Sequence, residues 1–130
     1  MIADTNILVR AILGDDPKQS KLAQTELAKA ELVAIAIPVL CEFVWVLQQG
    51  YKRSTSEVVH AIRGLLDSAT VAMNRPAAEA GLAVLESGGD FADGAVAYEG
   101  KELGGDIFVS FDRQAVKLLA RQGFATRVPG

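Results

Sequence analysis

Met1-Ile2-Ala3-Asp4-Thr5-Asn6 is the stretch whose reading decides the fold. Ile2-Ala3 has the character of a very short buried strand, and Ile7-Leu8-Val9-Arg10-Ala11-Ile12-Leu13 follows at once with helical periodicity. Asp4 stands at the junction. Read locally, it caps the helix, because an Asp before an apolar-periodic run accepts hydrogen bonds from the orphan N–H groups of the first turn. The other reading places Asp4 at the carboxyl end of a strand as one member of an acidic site. That reading requires further acids at the same place.

The same strand-then-helix pattern recurs along the chain. Leu32-Val33-Ala34-Ile35-Ala36-Ile37 is a continuous apolar run suited to a strand covered on both faces. Pro38 ends it and opens a helix from Val39 to about Gln49. Ala69 to Met73 reads as a short strand, Ile107 to Phe111 as a longer one, and Ala125 to Val128 as a short last one. Between them lie helices entered at Asp16-Pro17, at Ser54-Thr55-Ser56-Glu57, at Pro76, at Asp90 and at Arg113. Gly88-Gly89 and Gly104-Gly105 stop two of them. Alternating strands and helices with short connections imply an α/β fold with a parallel sheet between helices, expected as one domain over residues 1–130.

Composition narrows the class. Half the residues are hydrophobic and 22% are charged, which argues for a folded domain and against disorder. Leu32 to Leu47 comes nearest to a membrane span, but Pro38 and Glu42 interrupt it. No leader pattern is recognisable, and the single cysteine, Cys41, reads as a small buried hydrophobe, so a cytoplasmic protein is expected. The net charge of -3 excludes general electrostatic attraction as the means of holding nucleic acid. Lys18, Lys21 and Lys29 form a solvated helix face, and His60, with no ligand partners at metal spacing, takes no role.

In a parallel α/β sheet, ligands bind beyond the carboxyl ends of the strands. Asp4 and Asp112 end strands; Glu42 lies about one turn into the helix after the second strand; Asp93 lies in the first turn of another helix. Glu42 has no cation three or four residues away, and its bulky neighbours Phe43, Val44 and Trp45 disfavour a purely solvated position. Capping accounts for Asp90, and less well for Asp93, since a capping box closes with Glu or Gln. Asp106 begins its strand and faces the opposite sheet edge, which makes it an internal control. Four acids in one pocket repel each other unless a cation intervenes. Oxygen ligands without Cys or His suit Mg2+ or Mn2+, and a bound divalent ion can activate water and hold a phosphate for attack. Metal-dependent phosphodiester hydrolysis is the implied chemistry.

Asp4-Thr5-Asn6, Pro38-x-x-x-Glu42-Phe43, Asp90-Phe91-x-Asp93 and Ser110-Phe111-Asp112-Arg113 resemble the four motifs of PIN-domain ribonucleases. Their order and the chain length are similar to those of VapC toxins of bacterial type II toxin–antitoxin pairs. The resemblance implies a PIN-like three-layer fold, a central parallel sheet flanked by helices, and cleavage of structured RNA such as tRNA or rRNA. It assigns Asp4, Glu42, Asp93 and Asp112 to catalysis and to binding Mg2+ or Mn2+, with Asp90 tuning the site. Thr5, Asn6 and Ser110 would order the acids and water through hydrogen bonds. A homodimer and a cognate VapB-type antitoxin laid over the acidic cleft are also implied. Two departures are visible. The first strand is short, and Gly94 follows Asp93 where a helix former is more usual, which should loosen that helix by roughly 1 kcal/mol.

Rival readings fit less well. Aspartyl-phosphate phosphatases need a second Asp two residues after the first, where this chain has Asn6. A phospho-acceptor receiver domain needs a lysine ending a late strand, and none stands there. A degenerate PIN module that only binds a partner or RNA would be supported by a missing acid, and none is missing. Arg10, Lys52, Arg53, Arg75 and Arg113 are candidate phosphate contacts and equally plausible surface charges.

Overall fold

One aspartate–proline signal and one serine box set where two helices of the first half begin. In the computed structural model, which describes residues 1–130, Asp16 accepts a hydrogen bond from the Gln19 N–H (3.1 Å) and Pro17 opens α2, Pro17–Lys29. Ser54 and Glu57 close a reciprocal capping box, each side chain bonding the other's backbone N–H at 3.1 Å, and start α4, Thr55–Asp67. Both starts follow from the sequence, because each supplies partners to N–H groups that the helix itself cannot satisfy.

The chain divides into two units, Met1–Asn74 and Arg75–Gly130. The first contains α1 (Thr5–Ile12), α2, β1 (Val33–Ala34), α3 (Ile37–Trp45), a π-helical turn (Val46–Gly50), α4 and β2 (Val71–Ala72). β1 pairs in parallel with β2, Val33 opposite Val71 and Ala34 opposite Ala72, while Ile2 bridges in parallel to Ala34 on the other side. The Ala3 N–H donates to the Ala34 carbonyl at 3.0 Å and the Ala34 N–H to the Met1 carbonyl at 2.9 Å. β1 is therefore the middle segment, and the chain leaves Ala3 for Asp4 at its carboxyl end, as the sequence suggested, but the expected buried strand is a single bridge whose Ile2 is exposed. Leu8, Leu40, Phe43, Val44, Val58 and Ile62 are buried on the helices of this unit.

The second unit contains α5 (Arg75–Glu86), α6 (Phe91–Glu102), β3 (Phe108–Val109), α7 (Arg113–Arg121) and β4 (Thr126–Arg127), with β3 and β4 parallel. Val84, Ala97, Leu118 and Leu119 form its core, and Phe108 and Phe124 pack against them. α5 and α6 approach each other closely at two glycines. A Cβ on Gly81 would stand 2.6 Å from the Phe91 ring. A Cβ on Gly94 would run into the Ala80 carbonyl oxygen and stand 2.9 Å from the Gly81 Cα. Gly94 therefore does not loosen α6; it is the contact that lets α6 lie against the α5 backbone. Helix propensity is a local quantity, and this contact is tertiary.

Several boundaries differ from the sequence reading. The apolar run Leu32 to Ile37 yields only Val33–Ala34 as strand, because α3 starts at Ile37, ahead of Pro38, and takes the end of the run into its first turn. α1 starts at Thr5 rather than Ile7, directly after Asp4. The helix expected from Val39 to Gln49 spans Ile37–Trp45 and then widens into the π turn, which periodicity does not reveal. The strands expected at Ala69 to Met73, Ile107 to Phe111 and Ala125 to Val128 contract to two residues each. With 62% of the residues helical, the expected central sheet is represented by two-residue strands in two parallel pairs, and a single continuous sheet is not seen. No helix is long and apolar enough to cross a membrane.

Gly94→Ala is expected to destabilise the protein by about 1–3 kcal/mol through overpacking against Ala80 and Gly81. This is opposite in sign to the roughly 1 kcal/mol gain that helix propensity alone assigns to Gly→Ala. Denaturant unfolding of the variant beside the parent measures it; a more stable variant would mean that α5 and α6 are not in this contact.

Candidate active site

α6 begins with two acids in different roles. Asp90 is the N-cap, and its carboxylate accepts from the Ala92 N–H at 3.2 Å. Asp93, one turn in, is half-buried, and its carboxyl holds its proton more tightly than an ordinary Asp. Burial is the largest cause, followed by the negative charges of Asp90 and Asp112. The positive end of the α6 dipole acts in the opposite direction and does not cancel them. Three acids of the second unit thus share one electrostatic neighbourhood. From positions after strands and helix starts the sequence reading had joined Asp93 and Asp112 with Asp4 and Glu42; Asp90 came in only through the family resemblance.

Asp112 arrives there from β3 by way of Ser110. The Ser110 hydroxyl oxygen accepts from the Asp112 N–H at 3.0 Å, and the Asp112 carboxylate accepts from the Ala115 N–H at 3.1 Å. Asp112 therefore caps α7, and Ser110 fixes its backbone. Asp112 itself is exposed, so its second oxygen can face a ligand at little desolvation cost. Asp106 precedes β3 and lies at the other end of that strand, as the control required.

In the first unit, Asp4 occupies the N-cap position of α1 with extended backbone, yet its side chain makes no capping hydrogen bond. The local reading of Asp4 therefore fails. An Asp at that position usually contributes about 1 kcal/mol by capping, and here the exposed carboxylate does not spend itself on the helix. Thr5 beside it is buried and Asn6 is exposed, both in the first turn of α1. Glu42 follows β1 on α3, and β1 neighbours the Ile2 bridge, so Asp4 and Glu42 lie beyond the ends of adjacent parallel segments. Glu42 is exposed, contrary to the crowding expected from its neighbours: Phe43 and Val44 turn into the core, while Trp45 stands out in solvent.

Within neither unit do three His, Cys, Asp or Glu side chains stand close enough to form a coordination shell. Charges act on each other over a Debye length of about 10 Å, whereas a Mg2+ shell needs oxygens at about 2.1 Å. The acids around Asp93 meet the first condition and not the second. What fits a divalent cation is the donor chemistry: carboxylate oxygens only, one of them raised in proton affinity by burial and then by its acidic neighbours, as a hard cation would relieve.

Other assignments also changed. Cys41 is only partly buried. The Arg10 guanidinium is engaged by Asp15 at 2.9 Å and that of Arg53 by Glu57 at 3.4 Å, which reduces their service as phosphate contacts. A cavity of about 700 Å3 lies in the first unit among Ile12, Leu13, Leu47, Arg53, Glu57 and His60 and contains none of the site acids. Asp4, Glu42 and Asp112 are exposed, and Asp93 is half-buried. Sequence reading passed over Trp45 and Phe111, both exposed; their adjacency to Glu42 and Asp112 was the available signal.

The family model for the PIN domain matches residues 1–121, across both units, and the chain belongs to the PIN domain family. PIN domains are α/β proteins, typically nucleases, and usually work with divalent metal ions. No curated protein gives a sequence match to this chain.

The raised proton affinity of Asp93 has a signed consequence for metal-free protein. A carboxyl whose folded pKa exceeds its unfolded value of about 3.9 contributes stability below that value and loses it as pH rises through the folded pKa. Asp93→Asn is therefore expected to be more stable than the parent at pH 7 in EDTA, with the difference vanishing below about pH 3.9. Urea midpoints across that range measure it; a variant less stable than the parent at pH 7 would mean that the Asp93 charge is already compensated.

Proposed function

We propose that this PIN domain is a metal-dependent endoribonuclease of the VapC toxin type. Its substrate is structured RNA such as tRNA or rRNA, and it is inhibited by a cognate VapB-type antitoxin. In this reading Asp4, Glu42, Asp93 and Asp112 hold Mg2+ or Mn2+, and the protein acts in the cytoplasm as a homodimer. The observation that carries the reading is the electrostatic conflict at Asp93, where a half-buried acid stands in the field of two others. The uncapped carboxylate of Asp4 and the order of the four motifs support it.

In this reading the chain's own groups take the following parts. Ser110 holds the Asp112 backbone, and Asp112 spends one oxygen on α7 and presents the other. Asp90, tied to the Ala92 N–H, tunes Asp93 by its charge and stays on the helix. Thr5 and Asn6, in the first turn of α1, would order the acids and water through hydrogen bonds. A bound divalent ion supplies a water of lowered pKa and charge neutralisation at the phosphate.

A second reading, a catalytically weak PIN module that binds RNA or a partner, draws on the lack of a three-acid group within either unit. One experiment separates the two. Purified protein is incubated with pooled tRNA and rRNA in Mg2+, Mn2+ or EDTA, beside Asp93→Asn and the control Asp106→Asn. Discrete products are expected with metal, none in EDTA, and full activity from Asp106→Asn. Asp93→Asn should lose about 10²-fold or more, since a metal contributes several kcal/mol and each ~1.4 kcal/mol is tenfold. Undiminished cleavage by Asp93→Asn would remove that acid from the chemistry, and no cleavage with metal would favour the binding module.

A further inference from the structure

Gly81 and Gly94 stand where a Cβ would meet the Phe91 ring or the Ala80 backbone, so packing requires them. Gly64 is different. It lies in the interior of α4, and a Cβ there would have nothing within 4 Å. Gly100 is equally open, but it stands in the last turn of α6, where its carbonyl accepts the Gly105 N–H at 2.8 Å and closes the helix. After proline, glycine is the poorest helix former, so α4 is weakened at Gly64 without any contact inside the chain that calls for it. Gly64 lines the cavity of about 700 Å3 in the first unit, together with Ala61 three residues before it on the same helix face. These two small residues keep the α4 wall low and the cavity open. Its volume falls within the range of small-molecule sites, about 300–1,000 Å3.

The cavity has apolar walls and one cation at its edge. Leu13 and Leu47 are buried in the walls, and Leu65 is partly buried beside Gly64. Arg53 is the cation, and its backbone is fixed there: the Arg53 N–H donates to the Leu47 carbonyl at 2.9 Å. The chain reaches that bond through Lys52, whose φ of 53° is left-handed. Such a backbone is unfavourable for a residue other than glycine, so strain is accepted where Arg53 is set. The guanidinium itself is held only by the Glu57 carboxylate at 3.4 Å, near the limit of a hydrogen bond. Glu57 does not depend on that contact. Its other oxygen accepts from the Ser54 N–H at 3.1 Å, and Ser54 comes before Arg53 among the causes of its lowered proton affinity. The remaining N–H groups of the Arg53 fork therefore stand at the edge of an apolar cavity, with Ser56 and His60 as the neutral polar lining.

We propose that this cavity is a binding site for a small amphipathic carboxylate, with its aliphatic body against Leu13, Leu47 and Leu65 over Gly64 and its head on the Arg53 guanidinium. A carboxylate presents two oxygens in one plane, which matches the guanidinium fork. An aliphatic chain removes the leucine walls from water, whereas a phosphodiester backbone would meet the cation and leave those walls wet. The cavity contains none of the site acids, so the inference stands apart from the nuclease reading.

The probes are octanoate and 1-octanol, which share an aliphatic chain and differ in the charged head. Each is titrated into the full chain at neutral pH by isothermal calorimetry. Saturable binding of octanoate is expected with a Kd of about 1 mM or tighter. Octanol should bind about tenfold more weakly, because hydrogen bonds to a charged partner contribute roughly that factor or more. Arg53→Gln should weaken octanoate by about tenfold and leave octanol unchanged. Gly64→Leu suits the helix and fills the cavity, so it should abolish the binding of both, with circular dichroism confirming the fold. No saturable binding by the parent, octanol bound as tightly as octanoate, or octanoate held equally well by Gly64→Leu would each overturn the proposal. A lower mass for Gly64→Leu than for the parent on gel filtration would mean that a second copy of the chain covers the cavity, and this overturns it as well.

Discussion

The second unit depends on the approach of α6 to the α5 backbone at Gly94 and Gly81, with the Phe91 ring laid on Gly81. Burying a phenylalanine contributes about 1.5–3 kcal/mol, and here the ring also sets the distance between the helices. Asp93 lies between Phe91 and this backbone contact, so α6 is anchored on both sides of its acid. The helix cannot easily turn the carboxylate away from Asp90 and Asp112. Packing holds a repulsive arrangement in place, and a cation would relieve the repulsion without moving the helix. That is preorganisation in its physical sense: folding bears the cost of gathering the charges.

The two units bring acids to their surfaces by different local means. In the second, hydrogen bonds within the turns fix Asp90 and Asp112, whose carboxylates also serve their helices. In the first, Asp4 forgoes the capping bond that its position offers, and Glu42 stands out from a helix whose next two residues face the core. Ordinary stability is gained in the second case and declined in the first. Local structure that declines a favourable bond is more informative about function than local structure that accepts one.

Much of the helical architecture was legible in the sequence. Asp16-Pro17 and the Ser54–Glu57 box state their helix starts in side-chain chemistry acting over three residues, and α7 begins and ends where its Arg113 to Arg121 pattern does. Strand lengths were not legible. An apolar run such as Leu32 to Ile37 is compatible with a strand or with a strand handed over to a helix, and the helix reached back past Pro38 to take Ile37. Gly94 was misread for a related reason: its value lies in the Ala80 and Gly81 backbone it meets, which no local pattern encodes. Of the site, the nearness of Asp93 to Asp112 could be anticipated from element ends, whereas Asp90 read locally as a cap. The exposure of Glu42 could not, because Phe43 and Val44, its neighbours along the sequence, point to other faces of the helix.

The brevity of the strands has a consequence for how the protein opens. A two-residue parallel strand contributes few ladder hydrogen bonds, whereas α5 and α6 bury their facing backbones against each other. Amide protons on that helix pair should exchange with solvent through the rarest, most extensive openings of their unit, and those of β3 and β4 through frequent small ones. β3 then belongs to the readily fluctuating part of its unit and Asp93 to the slow part, while the Asp112 carboxylate is tied to the first turn of α7 by the Ala115 N–H.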